Sequence, residues 1–144
     1  MNTEEQTVVT YVLAQGSAAR AIEFYQKIFG AEESSARFTD PAGKIGHAEI
    51  TIGNTRIMLA DEAPPEHRFA PVLFYVRVGN ADAVVDKALA AGARLERAIA
   101  NQSYGDRSGI IVDPFGHRWM VSQTIEDVSK EELQKRVGGE YSIS

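Results

Sequence analysis

The chain presents one order of predicted elements twice. Gly16-Ser17-Ala18, where a first helix is predicted to begin, corresponds to Gly79-Asn80-Ala81, where a second is predicted to begin. At the other end of each copy, Arg56-Ile57-Met58-Leu59 corresponds to Arg118-Trp119-Met120-Val121 at nearly the same offset. Self-similarity at a fixed offset is typical of a duplicated structural unit. The sequence therefore predicts two copies of one β-α-β-β-β unit.

The first copy, residues 7–62, begins with a segment rich in β-branched and aromatic residues, 7–14, which is typical of a strand. Apolar residues then recur at helical spacing over Ala18–Phe29, with Ser17 as the predicted N-cap and Gly30 as the residue that ends the helix. Three further strands complete this copy, and they are predicted over 32–38, Ile45–Ile52 and Thr55–Ala60.

The second copy follows a segment, 63–71, that contains adjacent prolines and has no periodicity, so that it is predicted to be a linker. Residues 72–124 then repeat the order of the first copy, and Asn80 is the predicted N-cap of the helix. The elements predicted before the last two strands are a strand over 72–78, a helix over 81–91 and a strand over 95–99.

A hairpin closes the second copy. Asp113-Pro114-Phe115-Gly116 fits a type I turn, because Pro has the required φ at the second position and Gly suits the fourth. The flanking strands are predicted over 109–112 and 118–122. A capping box formed by Ser129 and Glu132 predicts a C-terminal helix over 128–138. We expect residues 1–144 to form a single α+β domain.

The composition excludes several classes of function. A hydrophobic fraction of 44% is sufficient for a packed core, whereas a formal net charge of −5 argues against a nucleic-acid interface, which needs clustered Lys and Arg. The absence of cysteine excludes disulfides and thiolate metal sites. The first residues have no signal-peptide pattern, and no apolar run approaches the roughly 18 residues of a membrane span. We expect a cytoplasmic protein with neither nucleic-acid nor membrane partners.

Four groups of residues carry a resemblance to a known superfamily, and they are Ala21-Ile-Glu-Phe-Tyr-Gln-Lys-Ile-Phe-Gly30, Gly46-His-Ala-Glu-Ile-Thr-Ile-Gly53, Ile57-Met-Leu-Ala-Asp-Glu62, and Gly105-Asp-Arg107 with Asp113-Pro-Phe-Gly-His-Arg-Trp119. Together with the duplicated unit, they make residues 8–123 resemble the vicinal-oxygen-chelate superfamily, which includes glyoxalase I, bleomycin-resistance proteins and extradiol dioxygenases. Within it, the chain is similar to the phosphonate-operon-type, glyoxalase-like branch. The resemblance specifies a fold and a superfamily, but not a reaction.

The resemblance implies that each copy supplies half of a curled, eight-stranded sheet, with a concave cup for a small molecule and helices on the outer face. It also implies a homodimer. Alternation along the strands then assigns side chains to faces. The residues expected to face the helices are Val9, Tyr11, Leu13, Ile57, Leu59, Phe74, Val76, Trp119 and Val121. The residues expected to line the cup are Thr10, Val12, His47, Glu49, Met58, Leu73, Tyr75, Arg77, Met120 and Ser122.

Glyoxalase-type members bind a divalent metal ion through His or Glu in the first and last strands of each copy. The matching positions in this chain are Thr10, Met58, Leu73 and Met120. A hydroxyl, two thioethers and a leucine cannot replace the imidazole and carboxylate ligands that Ni²⁺, Zn²⁺ and Fe²⁺ prefer. A shift of one residue along these strands brings in no such ligand. We therefore expect neither the metal site of the superfamily nor another cofactor.

His47 and Glu49 are the candidate catalytic residues. They stand two apart in the alternating strand Ile45–Ile52, so their side chains leave the same face, with Cα atoms roughly 7 Å apart. Three interpretations remain open at this point: an acid–base pair, two ligands of a displaced metal ion, or a hydrogen-bonded structural pair at the mouth of the cup. The other histidines, His67 and His117, do not obviously converge on them.

Seven further residues are candidates for ligand binding. Met58 and Met120 would form an adaptable apolar wall. Arg77 either recognises an anion or forms an ion pair with Glu49 or Asp61, because a guanidinium group suits both. The full set of candidates is Met58, Tyr75, Arg77, Tyr104, Arg107, Met120 and Ser122.

The segment before the closing hairpin is expected at the rim of the cup. It contributes Tyr104 to the candidate ligand-binding residues. In the same segment, Asp106 and Arg107 either pair with each other or hold the loop in place. In the hairpin itself, Phe115 is expected to be exposed at its turn, whereas Trp119 is expected in the core because it alternates with Val121.

Two classes of function are consistent with these residues. The first is a metal-free module that binds or sequesters a small, partly apolar molecule able to carry a negative charge, as bleomycin-resistance proteins do. The second is a lyase- or isomerase-type enzyme that uses His47 and Glu49, with or without a displaced metal ion, and that differs from a standard glyoxalase I. A dimer with a purely structural or partner-binding role is a third interpretation.

Overall fold

The computed structural model describes residues 5–144, which form three helices and nine strands. This arrangement confirms the predicted α+β class. The elements in chain order are β1 Thr10–Leu13, α1 Ala18–Phe29, β2 Glu32–Glu33, β3 Phe38–Thr39, β4 Ile45–Ile52, β5 Thr55–Ala60, β6 Leu73–Arg77, α2 Ala81–Ala90, β7 Arg94–Asn101, β8 Asp106–Val112, β9 Arg118–Thr124 and α3 Lys130–Val137.

The chain divides into two units, each with a sheet of its own. Unit 1 consists of residues 5–72 together with the turn Pro114–His117, and unit 2 consists of Leu73–Asp113 and Arg118–Ser144. The sheet of unit 1 has the order β1-β5-β4-β2, with β3 also paired to β4, and the sheet of unit 2 has the order β6-β9-β8-β7. The two sheets have five and four strands, which is one strand more than the eight expected.

The ninth strand arises because the predicted strand 32–38 is broken in two. Glu32 and Glu33 pair with β4, and Phe38 pairs with His47 further along the same strand, where the register shifts. Only Ala36 is apolar among residues 34–37, so this segment has no period-2 apolar pattern that would hold an edge strand against a core. Arg37 instead folds back and forms an ion pair with Glu33, at 2.8 Å.

The core of unit 1 lies between α1 and one face of its sheet, and α1 packs against β4. The alternation predicted for β4 is confirmed, since Ala48 and Ile50 are buried while His47 and Glu49 lie on the other face. Side chains at helical spacing on α1 complete the core. The buried residues of this helix are Ala18, Ala21, Ile22, Phe24, Tyr25 and Ile28.

The two long helices begin with caps of different origin. Asn80 accepts a hydrogen bond from Ala83 N at 3.0 Å, as its N-cap position predicts. Ser17 occupies the predicted N-cap position, but its side chain makes no capping hydrogen bond. The buried carboxylate of Asp61 replaces it by accepting from Ala18 N at 3.0 Å and from Ile45 N at 3.0 Å. A negative charge at a helix N-terminus is favourable, and the carboxylate oxygens accept from N–H groups that have no partner within the helix.

Unit 2 buries one face of its sheet beneath α2, which contacts β7, β8 and β9. Trp119 is buried, as predicted, and its ring stacks on Phe74 with centroids 4.1 Å apart. Its indole Nε1 donates to Asp113 Oδ2 at 2.9 Å, so the polar atom of this large side chain is satisfied. The closing hairpin is present, and β8 and β9 pair from Asp106 opposite Thr124 to Val112 opposite Arg118.

The turn of this hairpin belongs to unit 1, and it corrects the prediction that Phe115 is exposed. Phe115 is 5% exposed and lies edge-on to the rings of Phe24 and Tyr25, at 6.0 and 6.3 Å. The neighbouring His117 is fully buried, accepts from Val72 N at 3.1 Å and bonds Leu13 O at 2.8 Å. The apolar turn residue is therefore a core residue.

The C-terminal helix α3 begins as predicted, because Ser129 Oγ accepts from Glu132 N at 3.1 Å. It has no buried residue. Arg136 attaches it to neighbouring segments through Glu126, at 2.6 Å, and through Ser103 O, at 3.0 Å. None of the helices in residues 5–144 is both long enough and apolar enough to cross a membrane.

Candidate functional site

The face of each sheet that is turned away from its helix is called the open face here. In unit 1, the pairing of β1 with β5 determines which side chains lie on the open face. Tyr11 pairs with Met58, and Val12 pairs with Leu59. Val12 and Leu59 are fully buried, so they lie on the helix face. Glu49 also pairs with Met58, which places Tyr11, Met58 and Glu49 together on the open face. The predicted faces of Tyr11 and Val12 are therefore exchanged.

On this open face, a continuous hydrogen-bonded chain joins Tyr11, His47 and Glu49. Tyr11 Oη lies 3.0 Å from His47 Nδ1, and His47 Nε2 lies 3.0 Å from Glu49 Oε2. Because a carboxylate can only accept, the Nε2 atom of His47 carries a proton. In the neutral imidazole, Nδ1 is then an acceptor, and the hydroxyl of Tyr11 donates to it. Tyr11 thus donates to His47, and His47 donates to Glu49, which only accepts.

Surrounding groups hold this chain in position. The ring of Tyr11 stacks on that of His67, with centroids 5.4 Å apart and planes at 30°. Phe38 lies edge-on to His47 at 6.2 Å, and Arg56 Nε lies 3.7 Å from Glu49 Oε1. Burial, and then the charge of Glu49, raise the pKa of the Tyr11 phenol above its ordinary value. The phenol is therefore neutral at neutral pH and able to donate.

The structure brings the predicted pair His47 and Glu49 together and adds Tyr11, which sequence reasoning placed on the opposite face. The missing signal was the length of the loop before α1. Counted along the chain, Tyr11 precedes Ala18 by one position more than Tyr75 precedes Ala81, although both tyrosines face a methionine in the last strand of their copy.

The residues at the metal positions of the superfamily do not fit a divalent ion. Tyr11 pairs with Met58 as Tyr75 pairs with Met120, so the residue of unit 1 that corresponds to Leu73 is Val9, just before β1, rather than Thr10. Valine, leucine and two methionines offer neither imidazole nor carboxylate. Nor do three or more His, Cys, Asp or Glu residues gather as a potential metal site anywhere in residues 5–144.

The open face of unit 2 carries the five residues that alternation predicts for it. Across β6 and β9, Leu73 pairs with Arg118, Tyr75 with Met120, and Arg77 with Ser122. Trp119 and Val121, which alternate with these positions, are buried on the helix face. The open-face residues predicted for unit 2 are Leu73, Tyr75, Arg77, Met120 and Ser122.

Tyr75 anchors a polar cluster at one end of this face. Its hydroxyl donates to the carboxylate of Asp106 and lies 2.8 Å from Ser122 Oγ. Ser122 Oγ also bonds Asp106 Oδ2, at 3.1 Å. Burial, followed by the hydrogen bond to Asp106, raises the pKa of the Tyr75 phenol. Asp106 is therefore engaged by hydroxyl groups, and the predicted pairing of Asp106 with Arg107 is wrong.

Arg77 has an aromatic contact but no counter-ion among the residues that the structure describes. Its guanidinium carbon lies 5.4 Å from the centre of the Tyr75 ring. Within residues 5–144, no carboxylate lies within salt-bridge distance of it. Glu49 instead pairs with His47, and Asp61 accepts backbone N–H groups, so the alternative that Arg77 pairs with one of them is wrong.

Arg107 lies on the helix face of unit 2. It forms a bidentate ion pair with Asp82 of α2, at 2.8 and 3.0 Å, and it donates to Asn101 at 2.9 Å. It is therefore turned away from the side chains of the open face with which it was predicted to bind a ligand. The reason is the strand period, since Arg107 follows Asp106 and must leave the opposite face. Tyr104 is exposed in the loop before β8.

Sequence reasoning missed one further cation, Arg97 in β7. It pairs with Ile110, which in turn pairs with Met120, so these residues share the open face. Arg97 Nη2 donates to Ser108 Oγ at 2.6 Å, and its Nε is buried without a partner among the described residues. The short strand predicted over 95–99 did not indicate which face Arg97 occupies, because the pairing of β7 with β8 contains irregular steps.

Comparison with known proteins gives a consistent family. The family model described as the glyoxalase/bleomycin resistance protein/dioxygenase superfamily matches residues 7–121. An uncharacterized protein of Mycobacterium bovis is 36% identical over 132 residues, which are 85% of this chain and 86% of that protein. An uncharacterized protein of Mycobacterium tuberculosis is also 36% identical over 132 residues, which are 85% of this chain and 77% of that protein.

Solved structures show the same fold. TioX from Micromonospora sp. ML1 has a TM-score of 0.63 and 21% identity, covering 86% of this chain and 100% of that one. A putative 3-demethylubiquinone-9 3-methyltransferase, the PhnB protein from Bacillus cereus, has a TM-score of 0.66 and 20% identity, with coverages of 82% and 99%. The chain belongs to the glyoxalase/bleomycin resistance protein/dioxygenase superfamily.

Proposed function

We propose that this glyoxalase-like protein binds a small, partly apolar, anionic molecule on the open face of unit 2, without a resident metal ion. The observation that carries the proposal is an exposed apolar surface that lies beside a cation with no counter-ion among residues 5–144. Leu73 is 51% exposed and Tyr75 is 45% exposed, and Arg77 lies beside Tyr75 on the same face. The proposed role is binding or sequestration, of the kind that the resemblance to bleomycin-resistance proteins implies.

The apolar part of the ligand would lie against Leu73, Tyr75 and Met120. Large apolar side chains that share one exposed face are typical of a binding surface. Methionine adds a flexible, polarizable contact that adapts to ligands of irregular shape. This supports an organic ligand rather than a small, highly charged ion.

The anionic part of the ligand would meet Arg77. A guanidinium group presents a planar set of N–H donors that matches a carboxylate with two parallel hydrogen bonds. Arg107 would not serve this purpose, since Asp82 already occupies its donors. Lack of a metal ion is part of the proposal, and it is supported by the apolar residues Val9, Met58, Leu73 and Met120 at the superfamily positions.

Titration with benzoate, which combines an aromatic ring with one carboxylate, tests the proposal by calorimetry or NMR. Arg77→Ala is expected to weaken benzoate binding by about 1.5–3 kcal/mol, the range for a hydrogen bond to a charged group. Arg107→Ala is the matched control and should leave the affinity unchanged. Benzyl alcohol, which lacks the charge, should bind equally weakly to wild type and Arg77→Ala. Equal benzoate affinity in wild type and Arg77→Ala would reject the proposed anion site.

A second candidate function is acid–base catalysis of the lyase or isomerase type at His47 and Glu49. The observation that favours it is the 3.0 Å bond between His47 Nε2 and Glu49 Oε2, which fixes the tautomer of the ring and leaves Nδ1 as the basic atom. Turnover of the methylglyoxal–glutathione adduct is not expected, because that reaction uses the metal site. Robust turnover of this adduct would overturn the assignment of the metal positions.

The assembly and location of the protein are proposals as well. We propose a homodimer in the cytoplasm, as the superfamily resemblance implies. Light scattering coupled to size-exclusion chromatography would give twice the chain mass of 15.7 kDa for a dimer. A mass equal to that of the single chain at micromolar concentration would contradict it.

A further inference from the structure

We infer that Tyr11 is the residue through which the open face of unit 1 exchanges a proton with a bound molecule, with His47 as the base behind it and Glu49 as the group that orients His47. The inference rests on the second candidate function, acid–base chemistry at His47 and Glu49. It adds a residue to that chemistry and changes which atom meets the ligand.

Both nitrogens of His47 are engaged by side chains. Nε2 is bonded to Glu49 at 3.0 Å, and Nδ1 is bonded to the hydroxyl of Tyr11 at 3.0 Å. The basic atom of the ring therefore faces a phenol oxygen and not open space. A proton from a ligand reaches Nδ1 by way of that oxygen, unless the hydroxyl of Tyr11 is displaced.

Tyr11 is accessible and its ring is oriented. It is 36% exposed, and its ring is stacked on His67 at 5.4 Å and tilted against His47 at 5.7 Å. While its O–H donates to His47, the phenol oxygen retains lone pairs that can accept a hydrogen bond from a ligand. Tyr11 is thus both the exposed end of the chain and the member able to accept a proton as it releases its own.

The proton transfer balances without a cofactor. The ligand C–H or O–H bond breaks as its proton bonds to Tyr11 Oη, and the phenol proton moves to His47 Nδ1. The products are an anionic ligand, a neutral Tyr11 and an imidazolium ion whose charge is balanced by the carboxylate of Glu49. Return of a proton by the same route to a different atom of the ligand would complete an isomerisation.

The chemical class of ligand follows from the strength of the base. An imidazole paired with a carboxylate can remove a proton that is activated by a neighbouring carbonyl group, and it cannot remove one from an unactivated carbon. The arrangement therefore suits small carbonyl compounds that carry a proton on the carbon next to the carbonyl group, such as α-hydroxy ketones. Because the phenol is neutral, it also offers a hydrogen bond to the oxygen of such a ligand.

Phenylmethanesulfonyl fluoride tests the activation of the phenol without the natural ligand. The Tyr11 oxygen bonds to sulfur, the S–F bond breaks, fluoride leaves and the phenol proton passes to His47. The labelled sites are measured by peptide mass spectrometry of the full-length protein. Tyr11 is expected to label at least about tenfold faster than Tyr141, since a positioned base typically contributes more than this. Tyr141 is the matched control because it is more exposed, at 66%.

Variants separate activation from exposure. His47→Gln and Glu49→Gln should both lower the labelling rate of Tyr11 toward that of Tyr141, while the rate of Tyr141 stays the same in every protein. His67→Gln contacts the same ring but lies outside the hydrogen-bonded chain, and it should retain fast labelling. Circular dichroism and thermal unfolding check that each variant folds. Tyr11 labelling no faster than that of Tyr141, or fast labelling that survives His47→Gln, would overturn the inference.

Diethyl pyrocarbonate, which reacts with unprotonated imidazole, distinguishes failure of this inference from failure of the second candidate function. With Tyr11 over Nδ1, His47 should be modified slowly in the wild type and quickly in Tyr11→Phe. Rapid modification of His47 in the wild type would overturn the relay through Tyr11 and leave His47 as a base that meets the ligand directly.

Discussion

Tyr11 lies opposite Met58 across β1 and β5, as Tyr75 lies opposite Met120 across β6 and β9. The repeat counted from the helices would instead place Val12 opposite Met58. The difference is one additional residue between β1 and α1. The chain accommodates it through two consecutive residues with positive φ, Gln15 at 50° and Gly16 at 78°.

This additional residue determines which side chain of β1 lies next to His47. A shift of one position moves every side chain of a strand to the other face of its sheet. In β1 the shift buries Val12 and brings the hydroxyl of Tyr11 to His47. The positive φ of Gln15 is unusual for a residue with a side chain, and its amide donates to Phe115 O at 2.9 Å, which helps to hold the turn.

The register of β1 predicts opposite outcomes for two conservative substitutions. Val12→Thr places a hydroxyl in a fully buried site, and it is expected to lower the free energy of unfolding by about 1–3 kcal/mol. Thr10→Val, the reverse change at an exposed position of the same strand, should stay within about 0.5 kcal/mol of wild type. Urea unfolding measures both. Equal effects would contradict the observed register.

Asp61 predicts a second pair of outcomes. Asp61→Ala leaves the N–H groups of Ala18 and Ile45 without their acceptor, and the expected loss is roughly 2–4 kcal/mol from two buried unsatisfied donors. Ser17→Ala should change stability by less than about 0.5 kcal/mol, because its side chain makes no cap. Thermal unfolding of both variants checks this order. A larger loss in Ser17→Ala would restore the capping role that the sequence suggests.

Phe115 provides a third stability prediction. Phe115→Ala removes a ring that is 5% exposed and packed against α1, so we expect a loss of about 3–5 kcal/mol. Phe38→Ala is the control, since that ring is 63% exposed, and it should cost far less. Denaturant titrations of the two variants provide the measurement. Similar midpoints would show that the ring of Phe115 does not contribute to the core.

The sequence predicted correctly those features whose signal lies in neighbouring residues. β4 and β5 have the bounds predicted for them, with strict alternation as the signal in β4, and Gly30 ended α1 with a φ of 68° as expected. The faces of β6 and β9 followed from the same period. In β1 only four residues form the strand, too few to show which face is buried, so its assignment depended on a loop length that no pattern specifies.

Two errors outside β1 came from long-range contacts. Asp61 caps a helix that begins far earlier in the chain, and Phe115 packs on that same helix from the last hairpin. Neither contact leaves a periodic signal near the residue concerned. The candidate site was therefore predicted at His47 and Glu49, whose spacing is local, and missed at Tyr11 and Arg97.

The raised pKa of Tyr75 predicts how stability changes at alkaline pH. Burial and the hydrogen bond to Asp106 favour the neutral phenol in the folded state, so the folded pKa lies above the unfolded value of about 10. The stabilisation from this group is fully present below the unfolded pKa, and it is lost as the pH rises through the folded pKa. Wild-type stability should therefore fall more steeply above about pH 10 than that of Tyr75→Phe, which cannot ionise.

Asp106→Asn tests the cause of this shift. It removes the negative charge next to the phenol, so Tyr75 should ionise at a lower pH than in the wild type. Ultraviolet difference absorbance of the phenolate follows the titration, with Tyr75→Phe identifying the signal of this residue. An unchanged titration in Asp106→Asn would mean that burial alone raises the pKa. The same pH dependence of unfolding in wild type and Tyr75→Phe would show that ionisation of Tyr75 does not affect stability.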